Sequence, residues 1–305
     1  MDTTLTTLLA DIRRQGSIPN TEATGSQSSD LIAYINEHLI GIASEVIKCR
    51  EGFYRWYKDH TLSSTVTRYR IPTRAIGNRL AAVLLLNDDD EIVGKLNEIT
   101  YTNAPGYDGL TGSAGYFIEG GDIVLVPAVD SNATTLRMVY YVRPGEVTSS
   151  LDTASGNCFT ITGVSGNVLT IMASHGITTS TRIDVIKKGA PHEYLTVDEL
   201  PSATGATSVT IADGSRAEIG DFVCLADKSP VAQVPDAFRP PLALLAAQSY
   251  WIALDGDAMV EKLDVAIYGD GKRRPGAMKN AIALITPRVE EGARKIMSPY
   301  GVLGR

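Results

Sequence analysis

The chain has 305 residues, 44% hydrophobic and 21% charged, with a formal net charge of −7. That length predicts about two domains with a core that needs no covalent staples. The acidic balance excludes general affinity for duplex DNA, which requires clustered lysines and arginines. Cys49, Cys158 and Cys224 are far apart and never in C-x-x-C spacing, which excludes a disulfide framework and a zinc site.

Residues 1–14 lack the basic start and apolar run of a signal peptide, and no stretch reaches the roughly 18 apolar residues of a membrane span. A reducing cytoplasm, or a particle assembled there, is the expected setting. Leu5, Leu8, Leu9 and Ile12 predict a first helix over residues 3–14, stopped by Gly16. A polar loop, residues 19–29, ends in Ser29, a candidate N-cap. Leu31, Ile35, Leu39, Ile42 and Val46 then share one face of a long amphipathic helix.

From Phe53 the apolar period changes to two, and runs such as "TVTRYRIP", "YFIEGGDIVLVP" and "TTLRMVYYVRP" predict a β sandwich or strongly twisted sheet over residues 53–145. Gly120-Gly121 reads as a hairpin turn. After Pro144-Gly145 a second β unit is expected, with strands at 159–164, 168–172, 182–186, 194–197, 209–212 and 222–225, forming a small barrel inserted into the parent fold. Helices return at 242–254, 257–268 and 276–285, with Asp236 able to cap and Pro240-Pro241 in a first turn. The fold class is therefore α+β. Residues 1–52 and 232–286 form a helical body, 53–145 a β sandwich or sheet, 146–231 an inserted barrel-like module, and 287–305 an extended C-terminal arm.

No motif carries catalysis. His38, His60, His175 and His192 stand in no H-x-x-x-H or H-E-x-x-H spacing, and "GVSGN" lacks the last glycine of a nucleophile elbow. "NDDDE", residues 87–91, lacks EF-hand periodicity and reads as a polar turn. "GDGKRRPG", residues 269–276, lacks phosphate-loop spacing, although its basic residues leave an anionic partner open. Phe53, Tyr54, Trp56 and Tyr57, interleaved with Arg55 and Lys58, could stack on bases or sugars but in a strand more often pack and snorkel. No enzyme, cofactor or metal is expected.

The end of the chain, "TPRVEEGARKIMSPYGVLGR", is apolar yet broken by Pro287, Gly292, Pro299 and Gly301. From Tyr268 to Arg305 eight basic residues meet three acidic ones, a balance of +5 that leaves −12 on the rest. Such a segment can bury its apolar side chains only against a partner, ordering as it binds.

"TTLTTLLADIRRQG", "REGFYRWYKDHTL", "TRYRIPTRAIGNRLAAVLLL", "GYFIEGGDIVLVPA" and this terminal segment together resemble head-to-tail adaptor (connector) proteins of tailed bacteriophages, over residues 1–145 and 230–305. The resemblance implies a virion neck protein, assembled in the host cytoplasm as a homo-oligomeric ring, typically a dodecamer, stacked on the portal protein. Its C-terminal arm would dock there through Arg288, Val289, Arg294, Lys295, Ile296, Met297, Tyr300, Val302 and Leu303. A tail or nozzle protein would bind on the far side, with the β module facing outward, and duplex DNA would pass through the lumen without sequence-specific binding. No membrane is involved. A tail-tube, nozzle or other neck component, or a carbohydrate-binding virion protein, is the alternative.

Overall fold

The computed structural model describes residues 5–19, 26–63, 65–100, 115–126, 133–153, 156–172, 175–190, 193–271 and 274–287. Leu8, Leu9 and Ile12 become the buried stripe of α1 (Leu5–Gly16). In α2 (Ser26–Cys49) Leu31, Ile35, Leu39, Ile42 and Val46 are all buried, as their spacing predicts. The helix begins three residues before the expected cap at Ser29. Ser28 accepts a hydrogen bond from Arg13 Nη2 at 2.9 Å, so a contact with α1 holds the first turn and overrides the local capping preference.

Gly16 does more than stop α1. It is the last helical residue, and a Cβ there would stand 2.6 Å from Ala247 Cβ, so only bare backbone lets α1 lie on α3 (Arg239–Ala253). Trp251 Nε1 adds a bond to the Gly16 carbonyl at 2.8 Å. Asp236 does not cap α3. It opens a 3-10 turn, Asp236–Phe238, that runs straight into the helix, and the buried Phe238 fixes the entry by packing. α4 (Asp257–Tyr268) ends at Gly269, whose φ of 93° favours glycine, and α5 (Ala277–Ile285) follows. The helices share one core, which also takes in Tyr54, Tyr141 and Val147.

β1 (Arg55–Thr61), β2 (Arg68–Arg70), β3 (Ala75–Leu86), β4 (Ile92–Glu98), β5 (Gly115–Glu119), β6 (Asp122–Val126) and β7 (Thr135–Val142) form a single sheet in the order β1-β7-β3-β4-β5-β6-β2. The β4–β5 pair is parallel and the other neighbours are antiparallel. Of the sandwich and twisted sheet expected, the twisted sheet is what forms. It curls until its edges nearly meet: the Ser63 N–H donates to Tyr69 Oη at 3.1 Å, and the His60 ring meets Tyr69 edge-on at 5.9 Å. Gly77 and Asn78, with φ of 56° and 58°, mark a bulge in β3 that increases the twist. Gly120-Gly121 makes the expected hairpin turn, with Glu119 opposite Asp122.

After β8 (Glu146–Val147) the chain builds two four-stranded sheets instead of one small barrel. β9 (Cys158–Thr160) is an edge of the sheet β13-β12-β16-β9, with β12 (Ile183–Ile186), β13 (Tyr194–Glu199) and β16 (Phe222–Leu225). β10 (Gly163–Ser165), β11 (Val168–Thr170), β14 (Ala203–Thr204) and β15 (Ser208–Thr210) form the other, in the order β10-β11-β15-β14. The predicted strand 159–164 divides because the chain changes sheets inside it. The Ile161 N–H bonds to Asp221 O at the β16 side, and the next, Thr162 N–H, bonds to Thr170 O beside β11.

Phe159, Leu169, Ile183, Val209 and Val223 fill the space between these two sheets. β12 is buried on both faces. Ile183 and Val185 face that interior, while Asp184 and Ile186 face the seven-stranded sheet, whose core includes Ile186, Phe222 and Cys224. The second β unit is therefore packed against the first along a whole sheet face. β17 (Lys228–Ser229) returns beside β8 in a parallel pair.

Candidate functional site

A buried polar junction binds the two β units and the helices. Arg74, in the turn before β3, donates from Nη1 to Asp184 Oδ2 at 2.6 Å and from Nη2 to Arg143 O and Tyr194 Oη at 3.0 Å each. Asp184 also accepts the Asp198 N–H at 2.9 Å and the Asp227 N–H at 3.0 Å. Tyr194 Oη donates to Gln233 Oε1 at 2.7 Å, and Tyr54 Oη donates to Gln233 O at 2.6 Å, reaching the helical core. Burial pushes the Asp184 carboxyl up, opposed by the Arg74 guanidinium and the two backbone donors. Burial also raises the Tyr54 and Tyr194 phenols, so both stay protonated donors. Every charged member is paired inside the protein, and the junction acts as a latch.

An open groove lies beside it. β1 and β13 are edge strands of different sheets, and residues of both border a depression of about 630 Å³. Through the shared residues Trp56 and Arg216 it adjoins a second, of about 510 Å³, that reaches Arg50. Arg50 also lines a third, of about 470 Å³, whose other walls are Ala283 to Pro287. The aromatic run packs as its alternation predicts. Tyr54 is buried, Trp56 rests on the sheet core, and the Tyr57 ring is covered by the Arg137 guanidinium 4.2 Å from its centre. Both Asp59 oxygens hold Arg137 in place, at 2.7 and 2.8 Å.

The nine residues expected to bind a partner, Arg288, Val289, Arg294, Lys295, Ile296, Met297, Tyr300, Val302 and Leu303, lie outside the described residues. His192, Lys272 and Arg273 do too. "NDDDE" is a polar turn, in which Asn87 Oδ1 accepts the N–H groups of Asp89 and Glu91 at 3.0 and 2.9 Å. Among the described residues no group of His, Cys, Asp and Glu could hold a metal. Cys158 and Cys224 stand opposite each other on β9 and β16, buried; burial first, then Cys158, pushes the Cys224 thiol up, away from a reactive thiolate. Sequence reasoning missed Arg74, Asp184, Tyr194 and Gln233. One signal was available: an aspartate in the middle of the apolar run "RIDVI" needs a buried cation.

Residues 3–166 match the model of a family described as SU10 adaptor protein. The chain belongs to this family. It is a phage head-to-tail adaptor family, so the adaptor is a structural component of the virion, and its partners are other components of the phage head or tail. The family is not one of enzymes. The match takes in α1, α2, the seven-stranded sheet and β8 to β10. Residues 230–305, which also entered the resemblance, lie beyond it. No curated protein matches the adaptor. Among its described residues no helix is long and apolar enough to cross a membrane.

Proposed function

We propose that the adaptor forms a twelve-subunit ring on the portal protein and joins it to a tail or nozzle protein around the DNA channel. The family match over residues 3–166 carries this reading. In it, residues 1–52 and 232–286 are the adaptor body, 53–145 the first β unit, 146–231 the second, and 287–305 the docking arm. Arg288, Arg294 and Lys295 orient the arm, and Val289, Ile296, Met297, Tyr300, Val302 and Leu303 anchor it in apolar pockets of the portal.

Two further features support the reading. α5 carries the chain to Pro287 at the surface of the helical body, with Leu284 74% exposed, so the arm starts where another molecule can reach it. The chain before Tyr268 is strongly acidic, and a lumen of that sign lets duplex slide because it repels phosphate. Twelve arms acting together make a durable joint from individually weak contacts, since each seated arm raises the effective concentration of its neighbours.

The test mixes the purified adaptor with its portal, with and without residues 287–305, and images the product by electron microscopy. The full chain is expected to decorate the portal, and the truncated chain to stay folded and fail to attach. Attachment of the truncated chain would remove the arm from the mechanism. Binding to tail components but not to the portal would place the protein further down the neck, as a nozzle or tube subunit.

A further inference from the structure

We infer that neighbouring copies of this chain join turn to pocket: the acidic β3–β4 turn of one copy seats in the arginine and aromatic pocket at the opposite end of the next copy's sheet. The inference rests on the ring reading and names the contact between ring neighbours.

Three observations carry it. The first is the pocket. Arg50, Arg55 and Arg216 line the depression of about 510 Å³, together with Phe53, Trp56 and one acid, Glu193. Glu193 stands 3.9 Å from Arg216, and Glu51 3.9 Å from Arg55, both loose, exposed pairs. Arg50 is different. Its guanidinium lies 5.3 Å from the centre of the Phe53 ring, and among the described residues it meets no carboxylate. Arg79 repeats the arrangement 5.3 Å from the centre of the Tyr141 ring, again with no carboxylate, and Tyr141 is the residue opposite Arg55. Phe53 and Tyr141 both pack on the helical core, so two exposed guanidinium groups are held ready for anions.

The second is the turn. Asp88, Asp89, Asp90 and Glu91 are all exposed. Asn87 fixes their backbone by accepting the Asp89 and Glu91 N–H groups, so little freedom is lost on docking. Asp90 is 4.0 Å from Arg137, which is itself committed to Asp59, and Glu91 accepts from Asn87 Nδ2. The Asp88 and Asp89 carboxylates have no partner among the described residues. Ile92 and Val93 follow directly, 64% and 49% exposed. Two free carboxylates beside two bare aliphatic side chains thus match two free guanidinium groups beside the half-buried rings of Phe53 and Trp56.

The third is distance. Arg55 is opposite Tyr141 at the pocket end of β1, and Thr61 is opposite Thr135, which also pairs with Leu86 just before the turn. The rise of about 3.4 Å per residue along β1 sets the two ends about 20 Å apart. Both ends belong to one hydrogen-bonded sheet, so a chain cannot bring its own turn to its own pocket. A second copy can. Because turn and pocket are different surfaces, each contact leaves one of each unused, and such contacts continue until they close into a ring.

Sedimentation velocity of the full-length chain tests this with two variants, one with the turn reversed (Asp88→Lys, Asp89→Lys) and one with the pocket reversed (Arg50→Glu, Arg79→Glu). The wild-type chain is expected to self-associate, more weakly as salt rises. Each variant alone should associate at least about tenfold more weakly, since ion pairs are lost and repulsions replace them. An equal mixture of the two should regain assemblies larger than a dimer, because the intact turn of one meets the intact pocket of the other and the reversed surfaces also match. Such recovery also shows that both variants are folded. Wild-type affinity in either variant alone would overturn the inference, as would wild-type chains that stop at a dimer or stay monomeric at low salt. A mixture that stays dissociated while both variants keep the wild-type unfolding midpoint would overturn it too. Failure of the ring reading looks different: open-ended chains that dissolve in the variants would keep this contact and contradict closure.

Discussion

Arg74 and Asp184, 110 positions apart in the sequence, meet in a 2.6 Å ion pair whose side chains are 3% and 0% exposed. One stands in the turn that leads into β3 of the seven-stranded sheet and the other on β12, the strand buried between sheets. Removing Arg74 strands a carboxylate in the interior. Arg74→Met is therefore expected to cost about 3–5 kcal/mol in urea unfolding. Arg74→Met with Asp184→Asn should recover part of that, because the lone charge is gone, while the single amide oxygen can accept from only one of the Asp198 and Asp227 N–H groups, which bond to different oxygens of the carboxylate.

Gly16→Ala is expected to destabilise the chain by about 1–3 kcal/mol, since the added methyl would stand 2.6 Å from Ala247 Cβ and push α1 away from α3. Ala247→Gly on that background should restore most of the loss, read as the midpoint of thermal unfolding. The same change at Gly41, where an added methyl would meet nothing within 4 Å, should cost nothing.

Burial holds the His38 and His60 imidazoles below their ordinary pKa of 6.5, with Lys58 adding to the effect at His60. As pH falls the unfolded chain therefore takes up these protons first. The stability these histidines contribute is whole above about pH 6.5 and declines as pH drops through that value toward the folded-state pKa. The double variant His38→Gln, His60→Gln should give a flatter urea-midpoint curve between about pH 7 and 5. The difference between the two curves isolates the histidines from carboxylates that titrate in both proteins.

Of the three cysteines, only Cys49 is expected to react quickly with Ellman's reagent in the native protein, because Cys158 and Cys224 are buried and the Cys224 thiol is held up by burial. All three should react in denaturant. Rapid native labelling of all three would mean that the β9–β16 pair opens readily.

Local pattern made much of this fold readable. The 3.6-residue stripe from Leu31 to Val46 became α2, and Gly120-Gly121 became a hairpin turn, because in each case the deciding interaction lies within a few residues. What escaped depends on distant partners. Asp236 reads as a cap but yields to the packing of Phe238, and Ser29 reads as a cap but yields to Arg13 on Ser28. The break at Ile161 follows from two sheets competing for one strand. The groove was invisible for the same reason, as it exists only where edges of two separately formed sheets face each other.

β8 and β17 lie side by side and run in the same direction, joined by Glu146 N–H to Asp227 O at 2.8 Å and Thr148 N–H to Ser229 O at 2.9 Å. The chain leaves for the second β unit from one end of this pair and comes back at the other. A force tugging that unit away from the helices would slide the two strands past each other, so both bonds would bear the load at once instead of unzipping in turn. This short ribbon is a mechanical fastener where the second β unit joins the rest of the chain.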